Sequence, residues 1–209
     1  MGDSCCGKTL DASALEARQR RVLIIVLAVN SVTFVMMVAA AVISGSSSLL
    51  SGGLDNLGDA LTYALSLAVV GASPRAKAGV ALFKGALILA AATAVGIQIA
   101  WRSSNPTVPL FEGMGVAAGL NLGANLVCLR LLTPYRAGDV NMASAWECSR
   151  NDAFEGLAVL AAAAGVWLFN AGWPDLLVAL ALLAMFLRSS VRVLRSAWIE
   201  LRRRQGALQ

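Results

Sequence analysis

Two pairs of side chains able to ligate a metal recur at one spacing: Asp55 with Asp59, and Cys148 with Asp152. Each pair is four residues apart, which on an α-helix puts both members on one face, about one turn from each other. If the two faces meet, three carboxylates and one thiol converge at one depth. Such a set suits a four-coordinate divalent cation, and zinc accepts both ligand types in tetrahedral geometry. The thiol tilts preference toward softer ions such as zinc or cadmium, whereas magnesium wants hard oxygen ligands and retained water. A bound metal also keeps the acids ionised and the thiol deprotonated. The chain has no histidine, so carboxylate, thiolate, amide and backbone oxygen are the donors available. A structural reading competes: a membrane aspartate can pair with Arg150 or bond to Asn121 or Asn125. The repeat of the spacing in two helices favours the metal site.

Other polar residues stand near these pairs. Glu155 shares the face of Cys148 and Asp152 and fits three roles: a group supporting the ligands, a proton acceptor, or a polar helix contact. Asn151, Asn30, Asn121 and Asn125 are further candidates to support the ligands. In a membrane, Asn30, Asn121 and Asn125 more often bond one helix to another than bind metal. Cys5 and Cys6 are adjacent in the polar N-terminal arm. They read either as a capture site for soft metal or as incidental thiols of a disordered tail. Cys128 reads as a small buried hydrophobe. There is no CxxC spacing and two cysteines fall in apolar segments, so no disulfide framework is expected.

The elements that carry these residues must cross a membrane. Of 209 residues, 58% are hydrophobic, the mean hydropathy is +0.71, and the 14% that are charged are clustered. Six apolar spans follow, at about 22–44, 49–71, 79–101, 110–132, 142–169 and 176–193. A carboxylate at the centre of such a span costs about 2.5–3.5 kcal/mol, so acids in mid-membrane imply a partner. Lys84 lies near the start of its span, where it can snorkel or pair with an acid. The first apolar run lacks a small-residue cleavage site and reads as a span, not a signal peptide. Lys and Arg concentrate in the N-terminal arm, the loops near Arg75 and Arg136, and the C-terminal tail, while the opposite loops hold only Arg102. The positive-inside rule then makes both termini cytoplasmic, in an inner or plasma membrane. The net charge of +5 is accounted for by anionic lipid, without nucleic acid. The expectation is an all-α, multi-pass integral membrane protein with a cytoplasmic arm over 1–20, six helices within 21–198 and a short tail over 199–209.

The spaced pairs resemble the cation diffusion facilitators. The second span of that family typically reads SLLADAxHxxxD, and here SLLSGGLDNLGD places Asp55 and Asp59 at the matching positions. Its fifth span carries HxxxD, and here CSRND places Cys148 and Asp152 there. GWPDLLVALALLA looks like the family's sixth-span start. The resemblance covers about residues 20–200 and departs at two points. Cys148 stands where the family has histidine, and the family's cytoplasmic metal-binding domain has no counterpart after the sixth span.

The resemblance implies a divalent cation exporter, for Zn2+ or Cd2+, that works by alternating access and proton antiport. Asp55, Asp59, Cys148 and Asp152 would be the ligands, the metal would be cargo with no prosthetic group, and a homodimer is the usual assembly. Proton and metal compete for the same lone pairs, so inward-moving protons would release the ion. Two other readings use the same residues: a proton-coupled carrier of organic cations, and a membrane sensor or assembly factor acting through Cys5-Cys6. The first wants an aromatic-lined pocket, but aromatics are 6% of the chain. The second leaves the buried aspartates without a role. No nucleophile–base pair is present to suggest an enzyme.

Overall fold

The computed structural model describes residues 17–68, 74–136 and 140–206. Every regular element among them is helical: α1 Ala17–Ser44, α2 Ser47–Ala68, α3 Pro74–Ser104, α4 Phe111–Leu132, α5 Val140–Phe169 and α6 Trp173–Gly206. A 3₁₀ turn over Thr133–Tyr135 extends α4. The helices begin and end where the sequence punctuates them. Gly45, at φ 70°, turns the chain out of α1 in the left-handed conformation that glycine adopts without cost. Ser46 then caps α2, its hydroxyl oxygen accepting from the Leu49 amide at 3.1 Å. Pro74 opens α3 and Pro174 lies in the first turn of α6, positions where a missing amide proton is harmless. Asn170, at φ 46°, closes α5. α6 runs on to Gly206, so residues 199–206 are helical. Leucine, glutamate and arginine, which fill that end, are all strong helix formers.

Four segments among the described residues are long and apolar enough to cross a membrane: Ala17–Ser44, Gly85–Ser104, Phe111–Tyr135 and Ala145–Phe169. α2 falls short because serine, glycine, asparagine and aspartate fill its first half. Its position explains how it can. α2 packs against each of the other five helices, so little of it meets lipid. The partition of side chains is the reverse of a soluble protein's. Val32, Val42, Val116, Leu120, Trp167 and Leu180 face outward, while Asn30, Asn56, Asp59, Asn121, Asn125 and Asp152 are buried. Hydrocarbon outside and polar groups inside is the arrangement a bilayer selects.

Close helix approach uses glycine on particular faces. A Cβ on Gly52 would lie 3.3 Å from Met37 of α1 and 3.4 Å from Val159 of α5. A Cβ on Gly156 would lie 3.3 Å from the Leu122 Cβ, so α5 meets α4 there with almost no space between. Gly119 and Gly123 of α4 take no part in that contact. They lie on the exposed side of α4, where a Cβ on either would meet nothing within 4 Å.

Asp175 ties the bundle together at the end that carries the α1–α2 and α5–α6 turns. An acid this early in α6 is expected to serve that helix's own dipole. It is buried instead at the N-terminus of α2. Its carboxylate accepts from the Ser47 amide at 2.7 Å, the Ser48 amide at 3.0 Å, and the Ser46 and Ser48 hydroxyls at 2.6 Å each. The exposed amide donors of one helix are thereby satisfied by an anion from another. Nearby, the Arg102 guanidinium donates to the Gly45 carbonyl and the Thr107 hydroxyl, and the Leu110 amide donates to the Ser44 carbonyl at 2.9 Å. These bonds knit three turns into one end-cap.

Candidate functional site

α2 and α5 run antiparallel past each other. Gly52 meets Val159, and within the next turn of α2 the Asp55 carboxyl meets that of Asp152. In this register 55 is level with 152, which brings the turn of Asp59 level with the turn of Cys148. Asp55 and Asp152 therefore meet one turn from the point where Gly52 of α2 lets Val159 of α5 come close.

Between the helices lies a cavity of about 10 Å³, room for one water-sized sphere. It is lined by Asp55 and Asn56 of α2, Asn121 and Asn125 of α4, and Asp152 and Glu155 of α5, with Gly52, Gly156 and Val159 closing it. Asp152 is 3% exposed and neither of its oxygens accepts a hydrogen bond. Asp55, Asp59 and Glu155 all act on it electrostatically. Four acids in one low-dielectric volume repel one another, so a cation or protons must neutralise them. Arg150 does not do so: its guanidinium stacks over the Trp146 ring at 5.3 Å. The cation–π contact takes the positive charge the structural reading needed.

The remaining candidates divide by position. Asp59 lies off the cavity and accepts a hydrogen bond from the Tyr63 hydroxyl at 3.2 Å. Cys148 is buried but does not line the cavity. A thiolate ligand at Cys148 requires its reduced form. Asn56 donates to the Asn121 carbonyl oxygen at 2.8 Å and so bonds α2 to α4. Asn125, one turn on, is buried with both amide atoms unbonded. Asn30 donates to the Val26 carbonyl of its own helix at 2.9 Å, and neither it nor Asn151 reaches the cavity. Cys128 is a free thiol packed among Leu23, Val26, Tyr63, Leu132 and Ala145. Cys5 and Cys6 lie outside the described residues. Among the described residues no three His, Cys, Asp or Glu side chains lie close enough to hold one metal ion.

Apolar layers close the site on two sides along α2. Toward its start, Leu49 packs with Met37, Met114 and Val166. Toward its end, Tyr63 packs with Leu23, Val26 and Leu132. A small polar cavity between two apolar layers, inside a bundle with a hydrocarbon exterior, is the interior of a multi-pass membrane protein. Residues 23–201 match the cation efflux transmembrane domain, and the chain belongs to that family. No curated protein matches it. Membership makes the chain a metal cation transporter of the efflux type, for which the metal is a transported substrate and no prosthetic group is carried.

Proposed function

We propose that this chain exports divalent metal ions, Zn2+ first and Cd2+ beside it, by alternating access with proton antiport. The ion binds between Asp55 and Asp152, with Asp59, and Cys148 when reduced, one turn away as the adjoining ligands. One observation carries the reading. Asp152 is buried against the Asp55 carboxyl, no donor group of the protein bonds either of its oxygens, and among the described residues the neighbouring Arg150 is stacked on Trp146 instead. A carboxylate kept so in hydrocarbon is costly unless its neutralising partner comes and goes. Protons arriving from the other side compete for the same oxygens and release the ion. The size of the cavity favours a bare ion over an organic cation. Both termini in the cytoplasm, an inner or plasma membrane and a homodimer belong to the same proposal.

The test is a proton readout. Vesicles containing the purified protein and a trapped pH dye are given an inward Zn2+ gradient. Antiport predicts proton efflux that begins with the metal pulse and disappears in Asp55→Asn. Zinc uptake with no change in lumenal pH at clamped membrane potential would sink the antiport mechanism.

A further inference from the structure

Asn125 has no structural partner to explain it. It is 1% exposed, it lines the cavity with Asp55, Asp152 and Glu155, and neither its amide nitrogen nor its amide oxygen is hydrogen-bonded. A buried polar group left so costs about 1–3 kcal/mol. Its neighbour one turn away does what membrane asparagines ordinarily do: the Asn121 oxygen accepts from Asn56 at 2.8 Å. Asn125 bridges no helices. The cavity also lacks a complete set of charged ligands. Asp55 and Asp152 face each other, yet among the described residues no three His, Cys, Asp or Glu side chains can close round one ion. Cys148 does not reach the cavity. The missing positions must be filled by donors of another kind, and a carboxamide oxygen is a good neutral donor for a divalent ion.

We propose that Asn125 is a ligand of the transported cation. Its Oδ1 joins the Asp55 and Asp152 carboxylates in an all-oxygen set on α2, α4 and α5. This rests on the transport reading above but leaves Cys148, which lies off the cavity, outside the ion's ligands, and so replaces Cd2+ with Mn2+ as the ion carried beside Zn2+. An oxygen set without sulfur lacks the soft donor that favours Cd2+, and carboxylate, carbonyl and water ligands suit Mn2+ well. The site therefore takes Mn2+ alongside Zn2+ and gives Cd2+ no advantage. The ligand set also reaches α4, so loading the ion draws three helices together where the paired motifs alone would draw two.

The experiment measures initial uptake of Zn2+, Cd2+ and Mn2+ into dye-loaded vesicles, and equilibrium binding of the same ions to detergent-purified protein. Wild type is compared with Asn125→Ala, Asn125→Asp and Asn121→Ala. The inference predicts that Asn125→Ala raises KM and the dissociation constant for each ion about tenfold or more. Asn125→Asp keeps binding and changes the order of preference among the ions, since it exchanges one oxygen donor for a charged one. Asn121→Ala lowers the melting temperature more than it alters KM. If Asn125→Ala lowers the melting temperature but leaves KM and the ion order unchanged, the residue is only structural and the inference is overturned. A strong wild-type preference for Cd2+ over Mn2+ overturns it too. A wild type that moves no divalent ion, yet binds one and loses binding in Asn125→Ala, overturns the transport reading while supporting the ligand.

Discussion

Asp59 and Asp152 differ in what holds them. Asp59 has a built-in donor, the Tyr63 hydroxyl at 3.2 Å, whereas Asp152 accepts no hydrogen bond from the protein. The two acids should respond differently to substitution. Tyr63→Phe removes a hydrogen bond to a charged group, with an expected cost of about 1.5–3 kcal/mol in unfolding free energy. It also frees Asp59 to turn, so Zn2+ KM is expected to rise severalfold with little change in the maximal rate. Asp175→Ala is a purely structural case. It leaves the buried Ser47 and Ser48 amides without their acceptor, at about 1–3 kcal/mol each. Thermal melting followed by circular dichroism in detergent checks both substitutions, and an unchanged melting temperature for Asp175→Ala would contradict the end-cap. The aspartate pairs were legible in the sequence because four-residue spacing on a helix is a local signal. Asp175 was not, since its partners lie 127 to 129 residues away. Asn121 and Asn125 looked alike in the sequence. Only the packing of α2 against α4 distinguishes the bonded amide from the unbonded one.

At the scale of the helices, the site depends on how closely α4 and α5 approach. Gly156 faces Leu122 so closely that even a methyl group would lie 3.3 Å from its Cβ and 3.4 Å from its Cα. Gly156→Val must push the helices apart or strain them, at an expected cost of about 1–3 kcal/mol. The residue also closes the cavity beside Asp152 and Glu155. Zinc uptake is therefore expected to fall in Gly156→Val, while Gly123→Val, with nothing within 4 Å of its Cβ, leaves folding and transport near wild type. Equal loss in both variants would argue against an α4–α5 contact as the wall of the site. Helix existence and order were legible, because long apolar runs separated by Pro, Gly and charge leave few alternatives. The inward face of α4 was legible too, in Asn121 and Asn125 four residues apart, and both are buried. The glycine that makes the close α4–α5 contact was not, because it lies on α5.

For the whole molecule, one arrangement makes sense of the rest. α2, which carries the buried Asn56 and Asp59, is wrapped by the other five helices, apolar layers close the polar chamber along its length, and the outer surface is hydrocarbon. The class of protein could be read from composition and spacing together, and the family match over residues 23–201 agrees with it. The position of the ion within the chamber could not, because it depends on which of several nearby oxygens are already bonded to protein. The central claim is that a divalent cation passes the Asp152 carboxylate. Zinc uptake into vesicles by wild type and Asp152→Asn, a substitution that keeps shape and removes charge, tests it most directly. Wild type is expected to take up zinc, and Asp152→Asn to lose on the order of 100-fold in uptake at low zinc while keeping its melting temperature. Uptake by a folded Asp152→Asn at the wild-type rate and KM would contradict it.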